Sequence, residues 1–123
     1  MPTPDTAPSD PLLTRLQELE QETDFDFVIE LIDIYIVETP KQIQAIASAL
    51  AMQSLPSLMI AAHTLKGSSL NLGAKQLGAL CLKIEEIGRT GKSIPDGISI
   101  VGIENEYEHV KKMLLDFKQN KHK

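Results

Sequence analysis

The residues best suited to chemistry lie in one short stretch, where His63, Lys66 and Gly67 follow one another at helical spacing. Residues three and four positions apart share one face of an α-helix, so these three side chains would lie together. Glycine inside a helix costs about 0.5–1 kcal/mol relative to alanine. Its place beside a histidine indicates that another molecule needs the space, with Lys66 ready to meet negative charge there.

This combination favours phosphoryl chemistry. An imidazole that is neutral near pH 7 is a nucleophile, and it can attack a phosphoryl group directly. Phosphoryl transfer depends mainly on positioning and charge neutralisation. His63 supplies the nitrogen, Gly67 the space and Lys66 the cation. The residues alone leave two plainer interpretations open, in which His63 is an ordinary surface or packing residue and Gly67 serves close helix packing.

Apolar residues at intervals of three and four predict a short first helix and a long second one. Asp10 suits the N-cap of the first helix, which is expected to end near Glu22. The second helix is expected to begin at Thr23 or Asp24 and to end near Met52. These two helices account for most of the first half of the chain. Pro40 lies inside the second helix and predicts a bend there, because it removes one backbone hydrogen bond.

Three further helices follow from the same periodicity. The third helix begins near Pro56, directs His63 away from its apolar side and stops at Gly73. The fourth helix follows a very short turn, which makes it an antiparallel neighbour of the third. Residues 88–97 form the predicted loop before the last helix.

These elements predict an all-α fold: an antiparallel up-and-down four-helix bundle with a short additional N-terminal helix. No segment alternates at period two over a useful length, and no internal repeat stands out. Residues 1–9 are rich in Pro, Thr, Ser and Asp and are predicted to be disordered. Residues 10–120 are predicted to form the helical-bundle domain.

Composition excludes several classes of function. The net charge is −5, with ten acids and two bases in residues 1–51, which argues against nucleic acid as a main partner. No apolar run approaches the ~18 residues of a membrane span, and no signal peptide is evident. A cytoplasmic, monomeric protein is therefore expected. The single cysteine, Cys81, lies in an apolar stretch and is predicted to be a small buried hydrophobe.

The sequence around the histidine resembles the signature of histidine-containing phosphotransfer (HPt) domains. The resemblance lies in Ala62-His63-Thr64-Leu65-Lys66-Gly67-Ser68-Ser69, followed by Asn71-Leu72-Gly73-Ala74 and by Leu77, Leu80 and Cys81. It is densest over residues 58–88. The motif is specific, because the glycine, the lysine and the apolar positions all keep register with the histidine.

The resemblance implies a role for each matching residue. His63 would be the phosphoacceptor, Lys66 would stabilise the phosphoryl group and Gly67 would keep the approach open. Ser68 and Ser69 would add local polar support. All five positions lie in the third predicted helix.

The resemblance also implies partners. Family members take phosphoryl groups from the aspartate of one receiver domain and pass them to the aspartate of another, and the receiver brings the Mg²⁺. Response-regulator receiver domains and a hybrid histidine kinase are therefore the expected partners, docking over Met59 and Leu70. No cofactor is expected in this chain. No Gly-x-x-x-x-Gly-Lys-Ser/Thr loop is present, so autophosphorylation from ATP is not expected.

Glu85 occupies a position where some relatives carry glutamine near the phosphoryl site. An acid at that position would repel phosphate unless it points away. Glu85 is therefore not predicted as a site residue.

Three other functions fit parts of the sequence. Glu106 and His109 have the spacing used in di-iron bundles, but such sites need a second Glu-x-x-His pair, which is missing. A serine near His63 in sequence is insufficient for a hydrolase triad. The remaining alternative is a helical adaptor that docks signalling partners through Met59 and Leu70 and is not phosphorylated.

Overall fold

The computed structural model describes residues 10–120, so the segment 1–9 that is predicted to be disordered lies outside the described residues. Five α-helices and no strand occur within residues 10–120. They are α1 (Pro11–Glu22), α2 (Phe25–Ala51), α3 (Leu55–Asn71), α4 (Lys75–Thr90) and α5 (Val101–Asn120).

Helices α2 to α5 form a four-helix bundle in which each helix packs against the next and α5 packs back against α2. The predicted fold class is therefore confirmed. The core is mainly aliphatic, as expected from the scarcity of aromatic residues. Its fully buried side chains include Leu16, Val28, Ile32, Ile46, Leu58, Leu65, Leu77 and Leu114.

The short helix α1 packs on α2 and covers the turn between α3 and α4. Arg15 Nε donates a hydrogen bond to the carbonyl of Asn71 at 3.1 Å. A Cβ atom built on Gly73 would lie 2.6 Å from Cβ of Arg15 and 2.8 Å from the carbonyl oxygen of Pro11. Glycine at this position therefore lets α1 lie directly against the turn.

The turn that follows α3 is a Schellman motif, and it confirms Gly73 as the predicted stop. Gly73 has φ +85°, in the left-handed region that favours glycine. The N–H of Ala74 donates to the carbonyl of Ser69 at 2.9 Å, and the N–H of Gly73 donates to Leu70 at 3.0 Å. Because the turn is so short, α3 and α4 run antiparallel along each other and form the most extensive helix contact in the bundle.

Helix α2 continues through Pro40, as predicted, and a hydroxyl from α5 compensates for the missing donor. Proline has no N–H, so it leaves the carbonyl of Ile36, four residues earlier, without its helical partner. The hydroxyl of Tyr107 donates a hydrogen bond to this carbonyl at 3.2 Å. Tyr107 is itself buried, at 4% exposure. The bond therefore fixes α5 against the middle of α2.

We expect Tyr107→Phe to lower the free energy of unfolding by about 1–3 kcal/mol, because the carbonyl of Ile36 would lose its partner. Urea denaturation followed by circular dichroism measures the loss. The control is the same substitution in a Pro40→Ala background, where the restored N–H can bond to Ile36. The loss should shrink in that background. An equal loss in both backgrounds would contradict this account of the hydroxyl.

One boundary differs from the sequence-based expectation. The predicted loop over residues 88–97 begins too early, because α4 continues to Thr90 and Gly91 is its C-cap. Gly88 is a helical residue at a close crossing of α4 with α3. A Cβ atom there would lie 2.6 Å from the backbone nitrogen of Met59. Gly88 is therefore glycine for reasons of packing, and the chain does not turn there.

Candidate functional site

Helix α3 divides its residues between the core and the surface. Leu58, Ala62 and Leu65 are buried against the other helices. His63 lies on the opposite side, and its side chain is 65% exposed. The predicted outward orientation of His63 is therefore confirmed.

The imidazole of His63 is held by a carboxylate from α4. Its Nδ1 atom lies 2.9 Å from Oε2 of Glu85, whose side chain is only 4% exposed. An ionised carboxylate can only accept a hydrogen bond, so Nδ1 is the protonated nitrogen of the neutral ring. The lone pair of His63 is then on Nε2. This second nitrogen is the nucleophile of the neutral ring.

Lys66 binds the other oxygen of the same carboxylate. Its Nζ atom lies 2.7 Å from Oε1 of Glu85, and its side chain is 21% exposed. Arg89 on α4 approaches Oε2 at 3.9 Å. The ion pair with Lys66 lowers the pKa of Glu85, burial opposes this effect, and the hydrogen bond with His63 adds to the lowering. Glu85 is therefore a charged group at neutral pH, compensated by Lys66.

The prediction that left Glu85 out of the site is wrong, because its carboxylate meets both His63 and Lys66. The helical register of α4 gives the physical reason. Cys81 and Ile84 are core residues of this helix, and Glu85 follows them by four residues and by one, which places it on the same inward side. That side faces α3, where Lys66 and His63 meet the acid. A charged residue in core register is the sequence signal that identifies Glu85, because a buried carboxylate needs a cation.

The surface above Gly67 is open. A Cβ atom built on this glycine would meet no atom within 4 Å, so nothing within the described chain requires glycine here. Ile60 and Leu70 are 61% and 47% exposed on the same helix. Met59 is half-buried and lines a shallow depression together with Ile60 and His63. The accessible ring of His63 therefore lies on a helix face that also exposes apolar side chains.

Ser68 and Ser69 lie elsewhere than the resemblance implied. Ser69 is fully buried, and its hydroxyl forms a 2.8 Å hydrogen bond with the hydroxyl of Tyr35 on α2. Ser68 donates to Oε1 of Gln42 at 3.2 Å. The expectation of polar support beside His63 is wrong for Ser69, because its position faces the core. Both serines tie α3 to α2.

Other candidate groups lie away from this face. Cys81 is buried, and desolvation raises the pKa of its thiol to about 12, so it is the inert side chain that was predicted. Glu106 and His109 line a separate cavity with Asp10 and Lys75, next to α1. Within residues 10–120, no three His, Cys, Asp or Glu side chains gather in a way that could hold a metal ion.

None of the helices in the described part of the chain is both long and apolar enough to cross a bilayer.

Comparison with known structures supports the fold. The chain is similar to the crystal structure of histidine-containing phosphotransfer protein B (HptB) from Pseudomonas aeruginosa PAO1, with a TM-score of 0.75 and 23% sequence identity. The similarity covers 87% of this chain and 92% of that chain. A comparison with the sequences of curated proteins gave no match.

Comparison with protein families identifies the chain. The Hpt domain family matches residues 30–113, which include the His63 face, all of α3 and α4, and most of α2 and α5. The match spans well over half of the sequence, and it contains both the exposed histidine and the carboxylate that holds it. The chain belongs to the Hpt domain family.

Proposed function

We propose that His63 accepts a phosphoryl group from the aspartate of one receiver domain and passes it to the aspartate of another. Membership of the Hpt domain family gives the chain a histidine phosphotransfer role in a phosphorelay. The observation that carries the assignment to His63 is its geometry. The ring is 65% exposed, and its Nδ1 is bound to a buried carboxylate, which leaves Nε2 as the nucleophile.

The residues around His63 each contribute to the transfer. Nε2 of His63 attacks the phosphorus atom in line with the leaving carboxylate of the receiver. Gly67 leaves the approach open, and Lys66, which pairs with Glu85 one turn along the helix, is the nearby cation that would meet a phosphoryl oxygen. The receiver supplies the Mg²⁺ and most of the catalytic groups. This chain then contributes a positioned nucleophile and needs no cofactor of its own.

The apolar side chains around His63 support docking of a receiver domain. Hpt domains interact with receiver domains and kinases. Met59 and Ile60 line a depression beside the ring, and Leu70 is exposed two turns further along α3, so these side chains offer a partner apolar surface to bury during transfer. A hybrid histidine kinase as the upstream source, a monomeric state and a cytoplasmic location stay predictions from the sequence.

Incubation with a phosphorylated receiver domain tests the assignment. The wild-type protein should gain a label that is labile in acid and stable in alkali, as expected of a phosphohistidine. His63→Gln should reduce this label to background, because glutamine offers no nucleophilic nitrogen. His109→Gln is the matched control, since it removes an exposed histidine on α5 and should label like wild type. Labelling that survives His63→Gln would overturn the assignment.

The adaptor alternative makes a different prediction in the same experiment. An adaptor would bind the receiver domain through the apolar face around His63 without acquiring any label. Binding measured by titration calorimetry, together with the absence of label on wild-type protein, would favour it. The hydrogen bond between Glu85 and His63 supports the phosphotransfer proposal instead, because an adaptor has no use for a fixed ring tautomer.

A further inference from the structure

An apolar pair, Leu70 on α3 and Leu82 on α4, lies along the seam between the two helices that hold the site. Leu70 is 47% exposed and Leu82 is 42% exposed. Within α4, all of which the structure describes, Leu82 is the one large apolar side chain that is exposed. We infer that this pair binds an apolar side chain of the receiver domain that docks on His63, so that Leu82 extends the docking surface from α3 onto α4. The inference rests on the proposed function of His63.

Two contacts between α3 and α4 fix the position of Leu82. At one end, a Cβ atom built on Gly78 would lie 2.5 Å from Cδ2 of Leu70 and 2.8 Å from its Cγ, so the side chain of Leu70 lies directly against the backbone of α4. At the other end, Lys66 binds Glu85 at 2.7 Å. Gly78, Leu82 and Glu85 follow one another at intervals of four and three, which places them on one stripe of α4. Leu82 therefore lies between Leu70 and the ion pair.

Gly78 keeps Leu70 in this position. Any side chain at position 78 would occupy the space that Leu70 fills, so Leu70 would have to move. Alanine would favour the helix more than glycine does. Because Leu70 remains 47% exposed, its contact with Gly78 buries only part of an apolar side chain. A partner that covers Leu70 would complete the burial, which is favourable for apolar surface.

The place of the pair beside the site indicates that a receiver domain is the partner. Lys66 and Leu70 follow His63 by three and seven residues, so a protein whose aspartate reaches Nε2 also comes over them. The side chain of Lys66 is 21% exposed, and a partner on Leu70 and Leu82 would shield it further from water. Interactions between charges are stronger where water is excluded. The apolar pair therefore favours both docking and the attraction of Lys66 for the phosphoryl group.

Leu82→Gln and Leu115→Gln are a matched pair of variants that test the inference. Leu115 is 43% exposed, and it lies on α5, whose extensive contacts are with α2 and α4 and not with α3. The Kd for the receiver domain that labels His63 is measured by titration calorimetry. It should rise about tenfold in Leu82→Gln and keep its wild-type value in Leu115→Gln. An unchanged Kd in a folded Leu82→Gln protein would overturn the inference.

A second measurement observes the contact in the wild-type protein and does not depend on how Leu82→Gln folds. Leucine methyl groups are labelled with ¹³C, and the signals are assigned with the conservative variants Leu82→Met and Leu115→Met. When the receiver domain is added, the methyl signals of Leu82 should shift, and those of Leu115 should stay in place. Methyl signals of Leu82 that do not move on saturation with the receiver would contradict the inference.

Phosphoramidate separates a failure of docking from a failure of the chemistry. This small phosphoryl donor needs no docking surface, so it should phosphorylate His63 equally in wild type and in Leu82→Gln. If wild-type protein gains no phosphohistidine from phosphoramidate or from a receiver, the proposed function is overturned. If the label forms normally and the Kd is unchanged in Leu82→Gln, only the role of Leu82 is overturned.

Sedimentation of the free protein tests the other possible occupant, a second copy of this chain. Wild type and Leu82→Gln should sediment alike, because the inference assigns the apolar pair to the receiver. A dimer of wild-type protein that becomes a monomer in Leu82→Gln would assign the pair to self-association and would overturn the inference.

Discussion

Phosphoryl transfer to His63 should fall by about 100-fold or more when Gly67 is replaced with glutamine, and the bundle should remain folded. The position is exposed on α3, one turn beyond His63, and a Cβ atom there meets nothing within 4 Å. A long side chain would therefore extend into the space through which a receiver aspartate must approach. Initial transfer rates from a phosphorylated receiver measure the effect.

Gly67→Ala is the control for this experiment. The added methyl group is small, and alanine is the better helix former, so the free energy of unfolding should rise by about 0.5–1 kcal/mol. Transfer should fall far less than in Gly67→Gln. Thermal melts followed by circular dichroism would show that both variants are folded. A wild-type transfer rate in Gly67→Gln would refute the access role of Gly67.

The second large effect concerns the crossing of α3 and α4. We expect Gly88→Ala to lower the free energy of unfolding by about 1–3 kcal/mol. The new methyl group would lie 2.6 Å from the backbone nitrogen of Met59, 2.8 Å from its Cα and 2.9 Å from the carbonyl oxygen of Leu55. Because all three contacts are with backbone atoms, no side chain can rotate away, and the two helices must separate. Denaturant unfolding measures the loss.

Gly102→Ala provides the matched comparison for Gly88. This glycine is also helical, but it is exposed on α5 and a Cβ atom there meets nothing within 4 Å. Its replacement should leave stability unchanged or slightly raised. Gly88→Ala should also weaken transfer, since separation of the helices moves His63 away from Glu85. Equal stability of the two variants would show that the crossing tolerates a methyl group.

Much of the fold was predictable from the sequence because its signals are local. Asp10 caps α1, and its carboxylate accepts from the N–H of Leu12 at 2.9 Å. Gly73 ends α3 in the left-handed conformation that the sequence indicated. The outward position of His63 follows from the spacing of apolar residues along one helix. Each of these features depends on a few neighbouring residues, so one sequence is enough to find it.

The parts of the site that were mispredicted depend on contacts between helices. Glu85 meets His63 and Lys66 only because α4 lies antiparallel to α3 in one particular register. Ser69 faces the interior, where its hydroxyl forms a hydrogen bond with that of Tyr35 on α2, so it is absent from the surface around His63. Residue 88 is glycine because α3 crosses α4 closely there, and it does not mark a turn. Periodicity within one helix assigns a residue to a face, but it does not say which residue of the next helix will be opposite.

The separation of exposed and buried residues along α3 has a consequence for evolution. Ile60 and Gly67 stand on the outer side and contribute little to the interior, whereas Leu58 and Leu65 on the inner side are fully buried. Mutations on the outer side can therefore alter which receivers are recognised while the folded state survives. After gene duplication, two copies can therefore come to recognise different receivers and serve separate signalling pathways. The buried residues that stabilise the bundle need not change.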